Sequence, residues 1–161
     1  MRFLVACAAS LAVLVTAVAA HEFKAGALLI THPWMRATPA GADVAGGYLG
    51  IVNSGPADRL LGGSLEGARV VEMHDMTTTG GVMTMRPTGP LDIPAGGTLT
   101  LAPGGRHLMA SGLAHAYVPG TMARGTLVFE HAGTVRVEFA VQAVGARAPA
   151  GHDAMPDMPK N

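Results

Sequence analysis

The chain is poor in cysteine, in aromatic side chains and in charge. It has one cysteine, Cys7, among 161 residues, and only 4% of its residues are aromatic and 14% charged. A single cysteine excludes a fold that is held together by internal disulfides. The 11 basic and 11 acidic residues give a formal net charge of zero. There is no basic stripe or charge block of the kind that indicates binding to nucleic acid or to an anionic membrane.

Long apolar runs are also absent, except at the start of the chain. Arg2 precedes an unbroken segment of apolar and small residues, 3–19, and Ala20 follows it just before the polar His21. This order is typical of a secretory signal peptide and its cleavage site. The segment is short and alanine-rich for a membrane span, and no stop-transfer charges follow it. We therefore expect export to the periplasm and no membrane span in the mature chain.

The predicted division of the chain follows from this cleavage site. Residues 1–20 form the signal peptide and 21–145 a single domain, long enough for a hydrophobic core. Residues 146–161 form a tail, rich in Ala, Pro and Gly, that we expect to be disordered. Cys7 ends the sequence LVAC, which resembles a lipoprotein box but lies too early to leave a hydrophobic region before it. The mature chain is expected to contain no cysteine.

Glycine and proline are abundant and break the chain into short segments. The 22 glycines and 11 prolines leave no long helical periodicity. In 134–143, Arg136 and Glu138 alternate with apolar residues, so one face is wet and the other belongs to the core. A tight hairpin turn is predicted before it, at Ala132-Gly133. The pattern predicts an all-β fold, a β-sandwich or Greek-key barrel. The predicted strands are 27–31, 47–53, 59–65, 68–75, 81–86, 98–101, 107–111, 126–131 and 134–143.

Methionine is plentiful, with ten residues, and two of them form a spaced pattern with two histidines. His74, Met85, His107 and Met109 follow the spacing H-x10-M-x21-H-x-M. Imidazole and thioether are soft, uncharged donors, and thioether sulfur selects Cu(I) over the hard cations. We therefore predict that these four residues bind one Cu(I) ion. A copper–thiolate electron-transfer site is excluded in the mature chain, because it needs cysteine.

Strand alternation offers a way for these side chains to meet. Residues two apart on a strand share a face. If residues 77–81 close a hairpin, Met76 faces Met83. His74 then faces Met85, with Cβ atoms about 5 Å apart. A turn after Leu101 would bring the His-x-Met pair alongside.

The four residues lie among further short segments: HPWMRATP at 32–39, GY at 47–48, VEMHDM at 71–76, GVMTMRP at 81–87, IPAGG at 93–97 and PGGRHLM at 103–109. Together these resemble the PCuAC family of bacterial periplasmic copper chaperones, over about 30–143. The resemblance implies a cupredoxin-like Greek-key β-sandwich that carries one Cu(I) on the four residues, which fall at the family spacing. It also implies delivery to the CuA centre of cytochrome c oxidase subunit II, with Sco-like periplasmic chaperones as further partners.

The other methionines near the pattern have plainer interpretations. Met76 and Met83 are predicted to lie at the rim of the copper site. Met35 and Met73 are interpreted as packing residues. Trp34, the only tryptophan, is expected to anchor the core rather than to act beside the metal.

The remaining histidines lack partners at metal-like spacing, and His32, His115 and His131 are interpreted as ordinary loop or strand residues. His21 differs, because signal cleavage would make it the N-terminal residue. A terminal amine and an imidazole together can chelate Cu(II), which raises the hypothesis of a histidine-brace oxidase. Nothing else in the chain indicates a site for oxygen chemistry, so this hypothesis is disfavoured.

The tail carries His152, Met155 and Met158 at positions i, i+3 and i+6. Two interpretations stay open for it. It is either a solvated end or an auxiliary copper site that raises the local copper concentration near the main one.

No catalytic constellation is evident, since the motifs G-x-S-x-G, H-E-x-x-H and C-x-x-C do not occur. We therefore predict a periplasmic copper chaperone that is not an enzyme. One alternative is a periplasmic copper storage or resistance protein without a dedicated acceptor. Another is an interaction domain that binds no metal and uses its methionine-rich strip as a sticky face.

Overall fold

The computed structural model describes residues 22–147, so the predicted signal peptide and most of the tail lie outside the described residues. Within this range the chain forms eleven strands and no helix. None of these residues forms a helix that is long and apolar enough to cross a membrane. The all-β prediction is confirmed. The strands are β1 (Glu22–Ala25), β2 (Leu28–Arg36), β3 (Val44–Asn53), β4 (Asp58–Leu65), β5 (Val70–Thr79), β6 (Val82–Pro87), β7 (Leu91–Ile93), β8 (Thr98–Leu101), β9 (His107–Ser111), β10 (Met122–Phe129) and β11 (Gly133–Gln142).

The strands belong to one hydrogen-bonded sheet that curves over a single core. Its order is β6-β5-β9-β3-β2-β11-β10-β4-β7, with β1 added to β2 and β8 to β3. The β11–β2 pair is parallel, and the other pairs among the described strands are antiparallel. Ile30 and Ile51, from the middle of this order, share one hydrophobic cluster with Leu60 and Ile93 from its far end. A sheet whose middle and end meet in one core must fold over itself, which makes a β-sandwich.

The predicted strands are all present, but several boundaries differ. Neither β1 nor β7 was predicted, whereas β8 and β9 have the predicted bounds. The predicted strand 27–31 stops before Pro33, yet β2 continues past it to Arg36. The register shifts between Thr31 and Trp34, and His32 has a φ of 47°. This bulge accommodates Pro33, which has no N–H group to donate to the neighbouring strand. Trp34 is 4% exposed, but it lies outside the main hydrophobic cluster and packs against Tyr48, at a ring-centroid distance of 4.5 Å.

The hairpin between β10 and β11 has a longer turn than predicted. Phe129 pairs with Gly133, so the loop is 130–132 rather than a tight turn at Ala132-Gly133. Gly133 has a φ of 75°, the left-handed conformation that often ends a three-residue hairpin loop. The predicted alternation in β11 is confirmed, because Val137 and Phe139 are buried while Arg136 is exposed.

A buried carboxylate fixes this hairpin loop to β4. Asp58, 6% exposed, accepts hydrogen bonds from the backbone N–H groups of Arg59 at 2.7 Å, His131 at 3.0 Å and Ala132 at 3.0 Å. Burial by itself would raise the pKa of Asp58, but these hydrogen bonds outweigh it and lower the pKa below its ordinary value of 3.8. The loop is therefore held by the ionised form of Asp58.

Candidate metal centre

The β5–β6 hairpin has a shorter turn and a different register from those predicted. Thr79 pairs with Val82, which leaves only Gly80 and Gly81 in the turn. Their φ values are 58° and 80°, and two central residues with positive φ are typical of the two-residue turns that suit strand twist. Strand β5 therefore runs on to Thr79 instead of ending before a five-residue turn at 77–81.

The new register changes the partners of the candidate residues but keeps them on one face. Met76 pairs with Met85, not with Met83, and His74 pairs with Pro87, not with Met85. Each partner is displaced by two residues along β6, and a shift of two preserves the side of the sheet to which a side chain points. His74 and Met85 are thus diagonal neighbours, while Met76 is the direct partner of Met85.

Strand β9 brings the second histidine beside the first. His74 pairs with His107 across β5 and β9, and their ring centroids lie 6.0 Å apart. One residue further on, Met73 pairs with Leu108, and both are buried in the hydrophobic core. Because side chains alternate along each strand, the two histidines lie on the face opposite the core. Met109 shares that face with His107.

The ring of His107 is fixed by its own turn. His107 is 3% exposed, and its Nδ1 lies 2.9 Å from the carbonyl oxygen of Gly105. A carbonyl only accepts, so Nδ1 must carry the proton in the neutral ring. The other ring nitrogen, Nε2, then has a free lone pair. The same Gly105 carbonyl accepts a hydrogen bond from the Met76 N–H at 3.3 Å, which connects this turn to β5.

The ring of His74 has no such partner. Both of its ring nitrogens are buried and make no hydrogen bond with the residues that the structure describes. The Glu72 Oε2 atom lies 3.6 Å from His74 Nε2, which is too far for a hydrogen bond. Leaving a buried polar atom without a partner costs about 1–3 kcal/mol. The His74 imidazole therefore has a nitrogen available to bind a metal ion, because neither ring nitrogen is used by the described residues.

An open pocket of about 770 Å³ adjoins these histidines. Met85 and Met109 line it together with His107, so three of the four predicted ligands share one cavity. His74 does not line the pocket, although its ring is next to that of His107. Met76 and Met83 line it as well, so the cavity wall carries four thioethers.

The pocket opens to solvent on its methionine side. Met83 is 65% exposed and Met85 is 42% exposed, whereas Met109 is half-buried. Val44 and Val144 also line the pocket and are exposed, so its mouth is apolar. The only charged residues in the lining are Arg36 and Arg147.

Tyr48, which also lines the pocket, and Trp34 form an aromatic wall beside His107. The Tyr48 ring lies 6.3 Å from the His107 ring and 4.5 Å from that of Trp34. A Cβ on Gly46 would come within 2.7 Å of the Tyr48 hydroxyl, so the glycine makes room for the phenol. Burial raises the pKa of Tyr48, which the positive charge of Arg36 only partly opposes. Tyr48 is therefore a neutral wall beside the histidine.

The positions of Tyr48 beside His107 and of Met76 opposite Met85 were not predicted from the sequence. Tyr48 appeared only within a short matched segment, although it shares a strand face with Gly46, which pairs with Met109. The pairing of β3 with β9 is a long-range contact, so no local pattern reveals it. Met76 lies two residues from His74 on one strand, and this spacing was the available signal.

The other histidines within 22–147 do not line the pocket. His131 Nδ1 is 3.3 Å from Asp58 Oδ1, and His115 packs edge-on against Tyr117. His32 occupies the bulge in β2. No group of three or more His, Cys, Asp or Glu residues that could hold a metal occurs in 22–147. The candidate site described above combines histidine with methionine.

Four further candidates lie outside the described residues. These are the predicted N-terminal His21 and the tail residues His152, Met155 and Met158. The tail begins near the pocket, since the Arg36 Nε donates a hydrogen bond to the Ala146 carbonyl at 2.8 Å.

The fold and the pocket place the chain among β-sandwich proteins with a candidate metal site of histidine and methionine. Comparison with known proteins identifies the family. The family model described as "Putative lipoprotein LpqE-like" matches residues 28–141. The chain belongs to the LpqE-like family. A protein of Leifsonia xyli subsp. xyli named "Putative lipoprotein Lxx21020" is 32% identical over 120 residues, which cover 74% of this chain and 72% of that protein.

Solved structures agree with this assignment and confirm the PCuAC resemblance. The copper-bound PCuAC domain from PmoF2 is 34% identical, with a TM-score of 0.67 over 76% of this chain and 98% of that domain. The Cu(I) form of DR1885 from Deinococcus radiodurans is 27% identical, with a TM-score of 0.53 over 78% of this chain and 81% of that one. The chain therefore has a PCuAC-type domain.

Proposed function

We propose that this chain is a copper carrier of the cell envelope. It binds one Cu(I) through His74, Met85, His107 and Met109 and delivers it to the CuA centre of cytochrome c oxidase subunit II, directly or together with Sco-like chaperones. It acts as a carrier and not as an enzyme. The observation that carries this proposal is the meeting of a ring with a fixed tautomer and several thioethers in one open pocket.

The two histidines support the nitrogen half of the site. The Nε2 of His107 is left free by the bond from Nδ1 to Gly105, and His74 has no hydrogen-bond partner among residues 22–147. Metal–nitrogen bonds are about 2 Å long, so one ion between the rings can bond to both when their centroids are 6.0 Å apart. In relatives copper is present, both in the PmoF2 domain and as Cu(I) in DR1885.

The methionines support the sulfur half and the release of the ion. Thioethers are neutral ligands that favour Cu(I). Met85 is 42% exposed, so an acceptor can approach the copper from solvent. The apolar mouth formed with Val44 and Val144 offers a surface on which an acceptor protein can dock.

A location outside the cytoplasm suits this chemistry. The apolar segment at 3–19 has the features of an export signal. Relatives described as lipoproteins support an envelope location. Such a compartment suits a site built without cysteine, because thioethers and imidazoles do not form disulfides.

The proposal is tested by X-ray absorption on the Cu(I)-loaded mature protein, purified from copper-fed cells. We expect one copper per chain with two nitrogen and two sulfur ligands. Protein that carries no copper under these conditions would instead support the interaction domain without metal.

A deletion strain separates delivery from storage. Loss of a chaperone should lower the assembly of active cytochrome c oxidase at limiting copper and leave copper tolerance unchanged. Normal oxidase assembly with reduced copper tolerance would favour the storage or resistance protein.

A further inference from the structure

We propose that Met76 is a fifth copper-binding residue, which holds Cu(I) beside His107 while Met85 exchanges with the acceptor. This inference rests on the proposed function, since it concerns the same Cu(I) ion. It assigns a role to a side chain for which the sequence predicted only a place at the rim.

The strand order separates Met85 from His107 by one intervening strand. Strand β5 lies between β6 and β9, so it separates Met85 on β6 from His107 on β9. Neighbouring strands are about 4.8 Å apart, and two spacings put about 9.6 Å between β6 and β9. Met85 must therefore reach across β5 to share a metal ion with His107. Met76 is on β5 itself and needs to cross only one spacing.

The register places Met76 between Met85 and the two histidines. Along β5, Glu72 faces Met109, His74 faces His107, and Met76 faces Met85. Along the direction of β5, the His74–His107 pair therefore lies between Met109 and Met85. The β5 partners of these two methionines, Glu72 and Met76, are four residues apart. Four residues of extended strand span about 13 Å. Met76 occupies the place between Met85 and the histidines.

A hydrogen-bonded turn connects Met76 to His107. The Gly105 carbonyl accepts both the His107 Nδ1–H at 2.9 Å and the Met76 N–H at 3.3 Å. One oxygen therefore fixes the histidine ring and the backbone of Met76 relative to each other. Both side chains also line the same pocket.

Exposure suggests what the extra thioether does. Met83 is 65% exposed, Met85 is 42% exposed, and Met76 is half-buried, so sulfur atoms lead from the mouth of the pocket towards the buried His107. An acceptor that displaces Met85 would otherwise leave copper with one ligand fewer. If Met76 binds when Met85 leaves, the coordination number is kept during transfer. Each step exchanges one neutral sulfur ligand for another ligand and needs no redox change.

The test compares the leucine variants Met76→Leu, Met85→Leu and the double variant in the mature protein. Met122→Leu is the control; Met122 is 40% exposed on β10, away from the pocket. Leucine keeps the apolar volume and removes only the sulfur. Circular dichroism and thermal unfolding establish that each variant is folded. X-ray absorption counts the sulfur ligands of bound Cu(I), and a chelator competition measures its affinity.

We expect Met85→Leu to keep the sulfur count of the parent protein, because Met76 replaces the lost ligand, and the double variant to lose one sulfur. The double variant should bind Cu(I) at least roughly tenfold more weakly than Met85→Leu, a loss within the range seen when groups around a metal site are removed. Met122→Leu should match the parent protein.

The inference is overturned if Met85→Leu already loses one sulfur and Met76→Leu, alone or in the double variant, changes neither the count nor the affinity. In that case the proposed function stands, because the parent protein still binds Cu(I). A parent protein that binds no Cu(I) would overturn both.

Discussion

The Nδ1 atom of His107 lies 2.9 Å from the carbonyl oxygen of Gly105, two residues earlier in the chain. This contact determines which nitrogen of a buried ring can bind a metal, because the carbonyl can only accept a hydrogen bond. A histidine that binds metal commonly donates its second N–H to such a group, which orients the ring and fixes its tautomer. Here both groups come from a single turn, so the orientation of the ring does not depend on a distant partner.

Removing any one of the four proposed ligands should weaken Cu(I) binding. We expect His74→Ala, His107→Ala and Met109→Ala to bind Cu(I) at least roughly tenfold more weakly. Met85→Ala should weaken binding less, because Met76 can replace the lost sulfur. His107→Ala should have the largest effect, because its free Nε2 adjoins the thioether pocket. The measurement is competition with a Cu(I) chelator of known affinity.

The control for this series is His115→Ala. His115 packs against Tyr117, away from the pocket, and should not affect copper. Parent affinity in all four variants would show that copper, if it is bound, is held elsewhere.

The two-glycine turn should be needed for the register of the methionines. Gly81 has a φ of 80° and open space around its Cβ position, so a substitution there is opposed by the backbone conformation and not by a clash. Gly81→Val should destabilise the hairpin by about 1–2 kcal/mol. Cu(I) affinity should fall with it, since the turn sets Met85 opposite Met76.

Gly89→Val is the matched control, because Gly89 also has open space but no positive φ. Thermal unfolding and chelator competition should separate the two variants. If both behaved alike, the left-handed turn would not be what sets the register.

The strands could be predicted from the sequence, but their register could not. Alternation along β11 and the short segments between glycines are local signals, and β8 and β9 were predicted to the residue. The pairing of Met76 with Met85 depends on both Gly80 and Gly81 adopting positive φ, which the sequence Thr-Gly-Gly allows but does not require. Tyr48 reaches His107 through the pairing of β3 with β9, strands that are separated by half the domain.

The four spaced residues were predicted from their spacing and their donor chemistry, and strand parity places them on one side of the sheet. An error of two residues in register keeps that parity, so His74 and Met85 share a face in the predicted register and in the observed one. A spacing pattern carries no information on which thioether lies nearest to which ring. For that reason the sequence placed Met76 only beside the site, and the structure sets it directly opposite Met85.

The stability of the domain should fall in acid through Asp58. Its pKa is lower in the folded state than the ordinary value of 3.8, so ionised Asp58 stabilises the fold above about pH 4. This contribution is lost as the pH falls through the lowered pKa. Asp58→Asn should cost about 1–3 kcal/mol at neutral pH, because buried N–H groups lose a charged acceptor.

The difference between parent and Asp58→Asn in urea unfolding should therefore shrink below pH 4. Asp92→Asn is the control, since the Asp92 side chain is 87% exposed and its ion pair with Arg59 is on the surface. A difference that stayed constant down to the acid-unfolded state would mean that the carboxylate charge of Asp58 is not what holds the hairpin loop.

Copper should pass from this protein to a CuA domain and should return only slightly. The proposed site offers neutral imidazoles and thioethers, whereas a CuA centre offers two bridging thiolates, which are stronger ligands for Cu(I). Mixing the Cu(I)-loaded protein with a reduced, metal-free CuA domain should move most of the copper to the acceptor. Separation of the two proteins followed by metal analysis measures the endpoint, and copper that stayed on this protein would favour storage.

The same assay tests the tail, provided that the cut leaves the pocket intact. Arg147 lines the pocket, and Ala146 accepts the hydrogen bond from Arg36. The truncation should therefore remove only 148–161, which carry His152, Met155 and Met158.

If these residues collect copper for the main site, the truncated protein should load more slowly at low Cu(I) concentration. The transfer endpoint should not change, because the ligands of the main site are retained. Equal loading rates for both proteins would identify the tail as a solvated end, and a shifted endpoint would mean that the tail takes part in the final copper site.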